Sequence, residues 1–129
     1  MYLLDSNVVI DFCNAKLPLN AKDLLQNIEP NISVITPIEL FSSSKIPELE
    51  KLKLTQFVEI ATVYDRLTLE IINHVIHIRQ KYKKPLPDAI IAATAISYHL
   101  ILISRNISDF AHIEGLKVID PYHLGIENK

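Results

Sequence analysis

One cysteine, two glycines and no tryptophan stand among the 129 residues. A lone Cys13 excludes an internal disulfide and any cysteine-built zinc site. It fits a reducing cytoplasm and reads as a small buried apolar residue. With so little glycine, no loop can cradle nucleotide phosphates. The glycine pattern of a nucleophile elbow is missing too, so Ser6, Ser42, Ser43 and Ser44 do not read as hydrolase nucleophiles. Repeats and Gly/Ser-rich linkers are absent, which points to one domain spanning residues 1–129. No apolar run is long enough to cross a bilayer, since Ala89–Ile96 is soon followed by His99. The chain opens on MYLLD without a basic leader region, so no signal peptide is expected.

What the sequence has in quantity is apolar surface. Hydrophobic residues make up 49%, more than a domain of this size hides easily, so a subunit or partner interface is expected. Short apolar runs alternate with helical patterns. Strands are predicted at Tyr2–Leu4, Asn31–Ile35, Phe57–Ala61, Leu100–Ser104 and Lys117–Ile119, the last ended by Pro121. Ser6-Asn7 offers an N-cap for a helix through Cys13. Helical spacing marks Ala21–Ile28 and Pro47–Leu54, and Thr36-Pro37 starts another helix with Pro at its first position. Over Thr68–Tyr82, Leu67, Ile71, Val75, Ile78 and Tyr82 form one stripe, widened by Leu69, Ile72 and Ile76, so this helix is expected to be covered on more than one side. Pro87 opens a further helix through His99, and Ile107–Phe110 reads as a helical turn. Such alternation implies an α/β fold: a three-layer sandwich with a parallel sheet of about five strands.

In a parallel sheet, ligands bind beyond the carboxyl ends of the strands. Asp5 and Ser104 fall at such ends, and Glu39 and Asp88 in the first turns of helices beside them. Each acid also has an ordinary reading. Asp5 can cap the next helix. Glu39 completes a capping box with Thr36. Asp88 suits the positive end of a helix dipole. Asp109 can close a turn around Asn106. Together, four acids on one edge would repel one another unless cations lay between them. Hard Mg²⁺ or Mn²⁺ ions prefer such oxygens. Two ions about 3.5–4 Å apart would stabilise both the attacking and leaving oxygens of a phosphodiester.

The net charge of −2 does not advertise nucleic-acid binding, but setting these four acids aside leaves 11 acids against 13 bases. A metal-loaded edge could therefore present positive potential to a phosphate backbone. Arg79, Lys81, Lys83 and Lys84 form a basic run just before Asp88. It reads either as a solvated helix end or as a phosphate-steering patch. Arg105 is a further candidate phosphate contact. His74 and His77 lie three apart on the long helix without a third ligand placed to complete a metal site. His99, His112 and His123 show no ligand spacing.

The segments MYLLDSNVVID, ISVITPIEL, LPDAIIAATAI and LILISRNISDF, followed by GLKVIDP, together resemble the PIN-domain ribonucleases, and within them the VapC-like toxins of toxin–antitoxin pairs. The resemblance spans essentially the whole chain. It implies that Asp5, Glu39, Asp88 and Asp109 are the acidic metal-site residues. Ser6 and Asn106 would be supporting polar groups, as would Ser104, where many relatives have Thr and the hydroxyl is kept. It further implies a sheet of order 3-2-1-4-5, a homodimer, and a cognate antitoxin that covers the site.

The expected activity is Mg²⁺/Mn²⁺-dependent endoribonuclease action by a toxin. A housekeeping RNA-processing nuclease is the nearest alternative. A non-catalytic binding module retaining the fold is another, although all four acids are present. A phosphoacceptor receiver domain fits poorly: Asp65 comes late after the expected third strand, and Asp120-Pro121 stands where a receiver has its Lys.

Overall fold

Leu3 and Leu4 are neighbours in sequence and belong to different cores. In the computed structural model, which describes residues 1–123, they lie on strand β1 (Tyr2–Leu4), whose side chains alternate between two faces. Leu102 and Ile103 of β4 (Ile101–Ile103) divide in the same way. One face is covered by α5 (Leu69–Tyr82) and α6 (Leu86–Ser97), packed as a hairpin through the short Lys83–Pro85 link. The other is covered by α1 (Ser6–Cys13), α2 (Leu19–Gln26), α3 (Ile35–Phe41) and α4 (Glu48–Ile60). The result is the expected three-layer α/β sandwich.

Among the described residues all strand pairs are parallel. β1 pairs with β4, and β4 with β5 (Val118–Ile119). β2 (Asn31–Ser33) pairs with β3 (Thr62–Tyr64). β1 and β2 lie side by side without sharing a ladder, so the 3-2-1-4-5 order appears as two hydrogen-bonded parts. A side chain bridges the gap: Asn31 Nδ2 donates to the Tyr2 carbonyl at 2.9 Å.

Several elements depart from the sequence-based expectation. Phe57–Ile60 is helical and completes α4, which runs well past Leu54. Leu54 and Phe57, three apart, are buried in one cluster while Ile60 is 75% exposed, a helical rather than a strand arrangement. The third strand is the β-branched and aromatic run that follows. Its position puts Asp65 directly after β3, which removes one argument against a receiver domain. The strand order supplies a stronger one, because β3 lies outside β2 rather than beside β1 as in the doubly wound order 2-1-3-4-5. β2 stops at Ser33, whose Oγ accepts from the Ile35 N–H at 3.1 Å, and α3 starts there. Pro37 consequently falls within the first turn, where its missing N–H removes no helical hydrogen bond.

α6 carries an unbroken buried run from Ala89 to Ala95 and is apolar on every side, as expected of a helix enclosed by sheet and helix. Within it, the buried Thr94 hydroxyl donates to the Ile90 carbonyl at 2.7 Å. In α5, Ile71 and Ile78 are buried, but Leu69, Ile72 and Ile76 face outward, so within the single chain this helix is covered on one side. Thr68 caps its start, and Lys83 ends it in the left-handed region at φ 56°. Residues Ile107–Phe110 form α7, and Pro121–His123 a 3₁₀ turn. No helix among the described residues is long and apolar enough to cross a membrane.

Because Asn31 is buried and carries the side-chain link between β2 and β1, Asn31→Ala leaves the Tyr2 carbonyl without that donor. We expect a loss of about 1–3 kcal/mol in urea unfolding. An unchanged midpoint would mean that the two parts hold together through packing alone.

Candidate metal centre

Asp5 follows the last residue of β1, and its N–H donates to the Ile103 carbonyl at 3.0 Å, continuing the ladder. Its own carbonyl accepts from Val8 and Val9, which starts α1. The Asp5 side chain is the N-cap, with Oδ1 accepting from the Ser6 N–H at 2.8 Å. On the other side, Oδ2 accepts from the Ser104 hydroxyl at 2.7 Å. Asp5 is only 7% exposed. Burial pushes its carboxyl above the ordinary value, against the pull of the Ser104 and Ser6 hydrogen bonds, and the Glu39 and Asp109 charges push it further.

Ser6 serves two acids. Besides its N–H to Asp5, its hydroxyl donates to Glu39 Oε1 at 2.6 Å and lies 3.4 Å from the Thr36 hydroxyl. The capping box expected of Thr36 and Glu39 does not form. Val34 occupies the N-cap position and makes no side-chain capping bond, while Thr36 is wholly buried inside the first turn. Glu39 is exposed and points toward Asp5 through Ser6 rather than to the helix start. Thr36 is a polar contact of this centre that sequence reading assigned only to capping.

Asp88 lies in the first turn of α6 and is half-buried. Desolvation raises its carboxyl, Asp5 and Asp109 raise it further, and Lys84 draws it down. Asp109 is exposed in α7, its N–H bonded to the Asn106 carbonyl at 3.0 Å. Ser104 is fully buried, and its hydroxyl also accepts from the Asn106 N–H at 3.0 Å. Asn106 thus takes part through its backbone, with its side chain exposed.

Asp5 therefore lies within electrostatic reach of Glu39, Asp88 and Asp109, and Asp88 within reach of Asp109. The donor set is all hard oxygen, which suits Mg²⁺ or Mn²⁺. Among the described residues, no three acidic, His or Cys side chains are drawn together tightly enough to hold an ion as they stand. The residues fit a divalent ion by the chemistry of their donor set.

Residues 2–116 match the PIN domain. The chain belongs to the PIN domain family. Its structure is similar to a chain of a toxin–antitoxin complex from Klebsiella pneumoniae, with 34% identity and a TM-score of 0.75, covering 95% of this chain and 98% of the other. It shares its fold with VapBC2 from Rickettsia felis bound to a DNA fragment from its promoter, at 24% identity and TM-score 0.74, over 92% of this chain and 96% of that one. VapBC-1 from nontypeable Haemophilus influenzae is also similar in fold, at 24% identity and TM-score 0.73, over the same 92% and 96%. Among curated proteins, none matches by sequence.

The basic candidates of this PIN domain scatter. Lys84 acts on Asp88, as noted. Lys81 is exposed, packs 5.4 Å from the Tyr82 ring centroid and meets Glu114 at 3.5 Å. Arg79 is exposed, and Lys83 caps α5. Arg105 is turned to Asp11, with Nη1 3.1 Å from Oδ2. His74 and His77 border a cavity of about 400 Å³ with Ile78, Tyr82 and Glu114, which contains none of the four acids.

The raised Asp5 carboxyl has a consequence for stability. Below pH 3.8 the carboxyl is protonated in both folded and unfolded chains. Between 3.8 and the higher folded value, the folded state holds the proton more tightly, so stability falls as pH rises. Above that window the deficit is constant. Asp5→Asn removes it, since the amide oxygen can still accept from Ser6 and the NH₂ can donate to Ser104. Metal-free Asp5→Asn should therefore melt higher than wild type at neutral pH, with the difference vanishing in acid. A lower melting temperature at neutral pH would contradict the assigned direction.

Proposed function

We propose that this PIN domain is a Mg²⁺/Mn²⁺-dependent endoribonuclease and the toxin of a toxin–antitoxin pair. The observation that carries the reading is the buried Asp5 carboxylate, hydrogen-bonded on both oxygens, with Glu39, Asp88 and Asp109 around it. Asp5, Glu39 and Asp88 would hold the ion, with Asp109 acting directly or through water. A bound divalent ion supplies positive charge, which lowers the pKa of water and offsets the charge that builds on a phosphodiester under attack.

The chain's own groups prepare that site. The Ser6 N–H and the Ser104 hydroxyl fix both Asp5 oxygens in direction, leaving one lone pair on each for a ligand. The Ser6 hydroxyl aims Glu39. Asp88 and Asp109, less buried, can adjust to an ion and to RNA. Lys84, beside Asp88, is the best placed of the basic run to meet a backbone phosphate, with Arg79, Lys81 and Lys83 farther along the same run. Nothing in this arrangement needs the ribose 2′-hydroxyl as nucleophile, so the products are 5′-phosphate and 3′-hydroxyl ends.

The toxin assignment is supported by the 34% identity to a chain of a toxin–antitoxin complex. A cognate antitoxin and a second copy of the chain are the proposed protein partners. Exposed Leu49 and Leu52 on α4, and Leu69, Ile72 and Ile76 on α5, offer apolar surface for them. The cytoplasm, where such an RNA substrate is met, is the proposed location.

The deciding experiment is cleavage of single-stranded RNA with Mn²⁺, with sequencing of the new 5′ ends. Asp5→Asn and Asp88→Asn should each lower the rate by about 10²–10³-fold, a loss of several kcal/mol of transition-state stabilisation. Ends bearing 2′,3′-cyclic phosphate would contradict the mechanism. Growth arrest on expression, abolished by the same variants, separates a toxin from a housekeeping nuclease. Absence of Mn²⁺ binding by the folded wild type would leave only a binding module.

A further inference from the structure

Asp11, in the last turn of α1, is a buried carboxylate with no part in the centre just described; it is 7% exposed. It receives Arg105 Nη1 at 3.1 Å and the Tyr122 hydroxyl on the same oxygen. Tyr122 is itself fixed, its N–H donating to Asp120 Oδ1 at 2.8 Å. Three segments thus meet on one carboxylate: α1, the loop between β4 and α7, and the turn after β5. The middle segment is the informative one. Arg105 stands between Ser104, whose hydroxyl holds Asp5, and Asn106, whose N–H is held by Ser104. Asp109 follows within the same short stretch.

We propose that Arg105 is a positioning residue: with Asp11 and Tyr122 it clamps the Ser104–Asn106 loop onto α1, and so sets Asp109 relative to Asp5. The Arg105 side chain is half-exposed but the Asp11 carboxylate is buried, and breaking the charge-assisted bond strands that carboxylate without a counter-ion. The sequence suggested a phosphate contact for Arg105, and the two roles oppose each other on one variant. If Arg105 binds RNA, Asp11→Asn releases it and binding holds or tightens. If Arg105 positions the loop, Asp11→Asn and Arg105→Gln do the same damage. The consequences for metal and rate rest on the nuclease reading, whereas the clamp does not.

The test follows amide hydrogen exchange of the full chain, Mn²⁺ affinity by calorimetry, and kcat and KM on single-stranded RNA. Asp11→Asn and Arg105→Gln should each speed exchange at Asn106 and Asp109. Each should weaken Mn²⁺ binding and lower kcat by about 10–100-fold, with KM unchanged. The double variant should lose no more than either single one. Tyr122→Phe, the mildest change, should shift the same readouts in the same direction and serves if Asp11→Asn does not fold. Wild-type exchange and Mn²⁺ affinity in Asp11→Asn or Tyr122→Phe, with KM alone raised in Arg105→Gln, would overturn the clamp. A wild type that neither binds Mn²⁺ nor cleaves RNA refutes the nuclease reading, and the exchange comparison then still decides the clamp.

Discussion

Asp5 takes a hydrogen bond on each carboxylate oxygen while its backbone continues the β1–β4 ladder and begins α1. One residue thus joins strand to helix and first strand to fourth. Its burial would be unfavourable for an unpaired charge, and the Ser6 N–H and Ser104 hydroxyl offset only part of that. Much of the local structure follows from supplying those two donors. Ser104 has to leave β4 directly opposite, and the β1–β4 register places it there by pairing Leu4 with Ile103.

The other acids reach this edge because parallel connections return every strand in the same direction. α3 begins just after β2, which carries Glu39 to the side of Ser6. α6 opens at the same end of the sandwich, which brings Asp88 within reach of Asp5. Its buried alanine-rich run allows close approach to the sheet, so the helix start sits deep and Asp88 is partly desolvated. The fold therefore builds negative potential from ordinary elements, each separately stabilised by its own packing.

The parts of this arrangement legible in sequence were those with long or unambiguous patterns. The stripe along α5 and the apolar run of α6 mark helices by their length, and the β-branched or apolar runs before Asp5 and at Ile101–Ile103 mark strands. The third strand lies later than its sequence pattern suggests, because Phe57-Val58-Glu59-Ile60 alternates weakly and short apolar runs do not separate helix from strand. The capping box was a correct local motif overridden by tertiary context: Ser33 turns the chain early, α3 starts before Thr36, and Glu39 is freed for Ser6. The acids were legible as positions following strands and opening helices. The partner of Arg105 was not, since Asp11 lies 94 residues away and nothing local links them.

The charge balance of the edge argues for what belongs there. The donors that the chain aims at Asp5 and Glu39 are neutral: one backbone N–H and two hydroxyls. Arg105, next in sequence to Ser104, would be the natural fixed cation, yet it is turned to Asp11. Lys84 acts on Asp88, from a long side chain that gives a mobile rather than a fixed charge. Had the four acids served only stability, pairing them with Arg105 would have been the cheaper arrangement, because neutral donors leave their mutual repulsion in place. Diverting the guanidinium keeps the edge negative and its oxygens open, as the proposed cation-binding role requires.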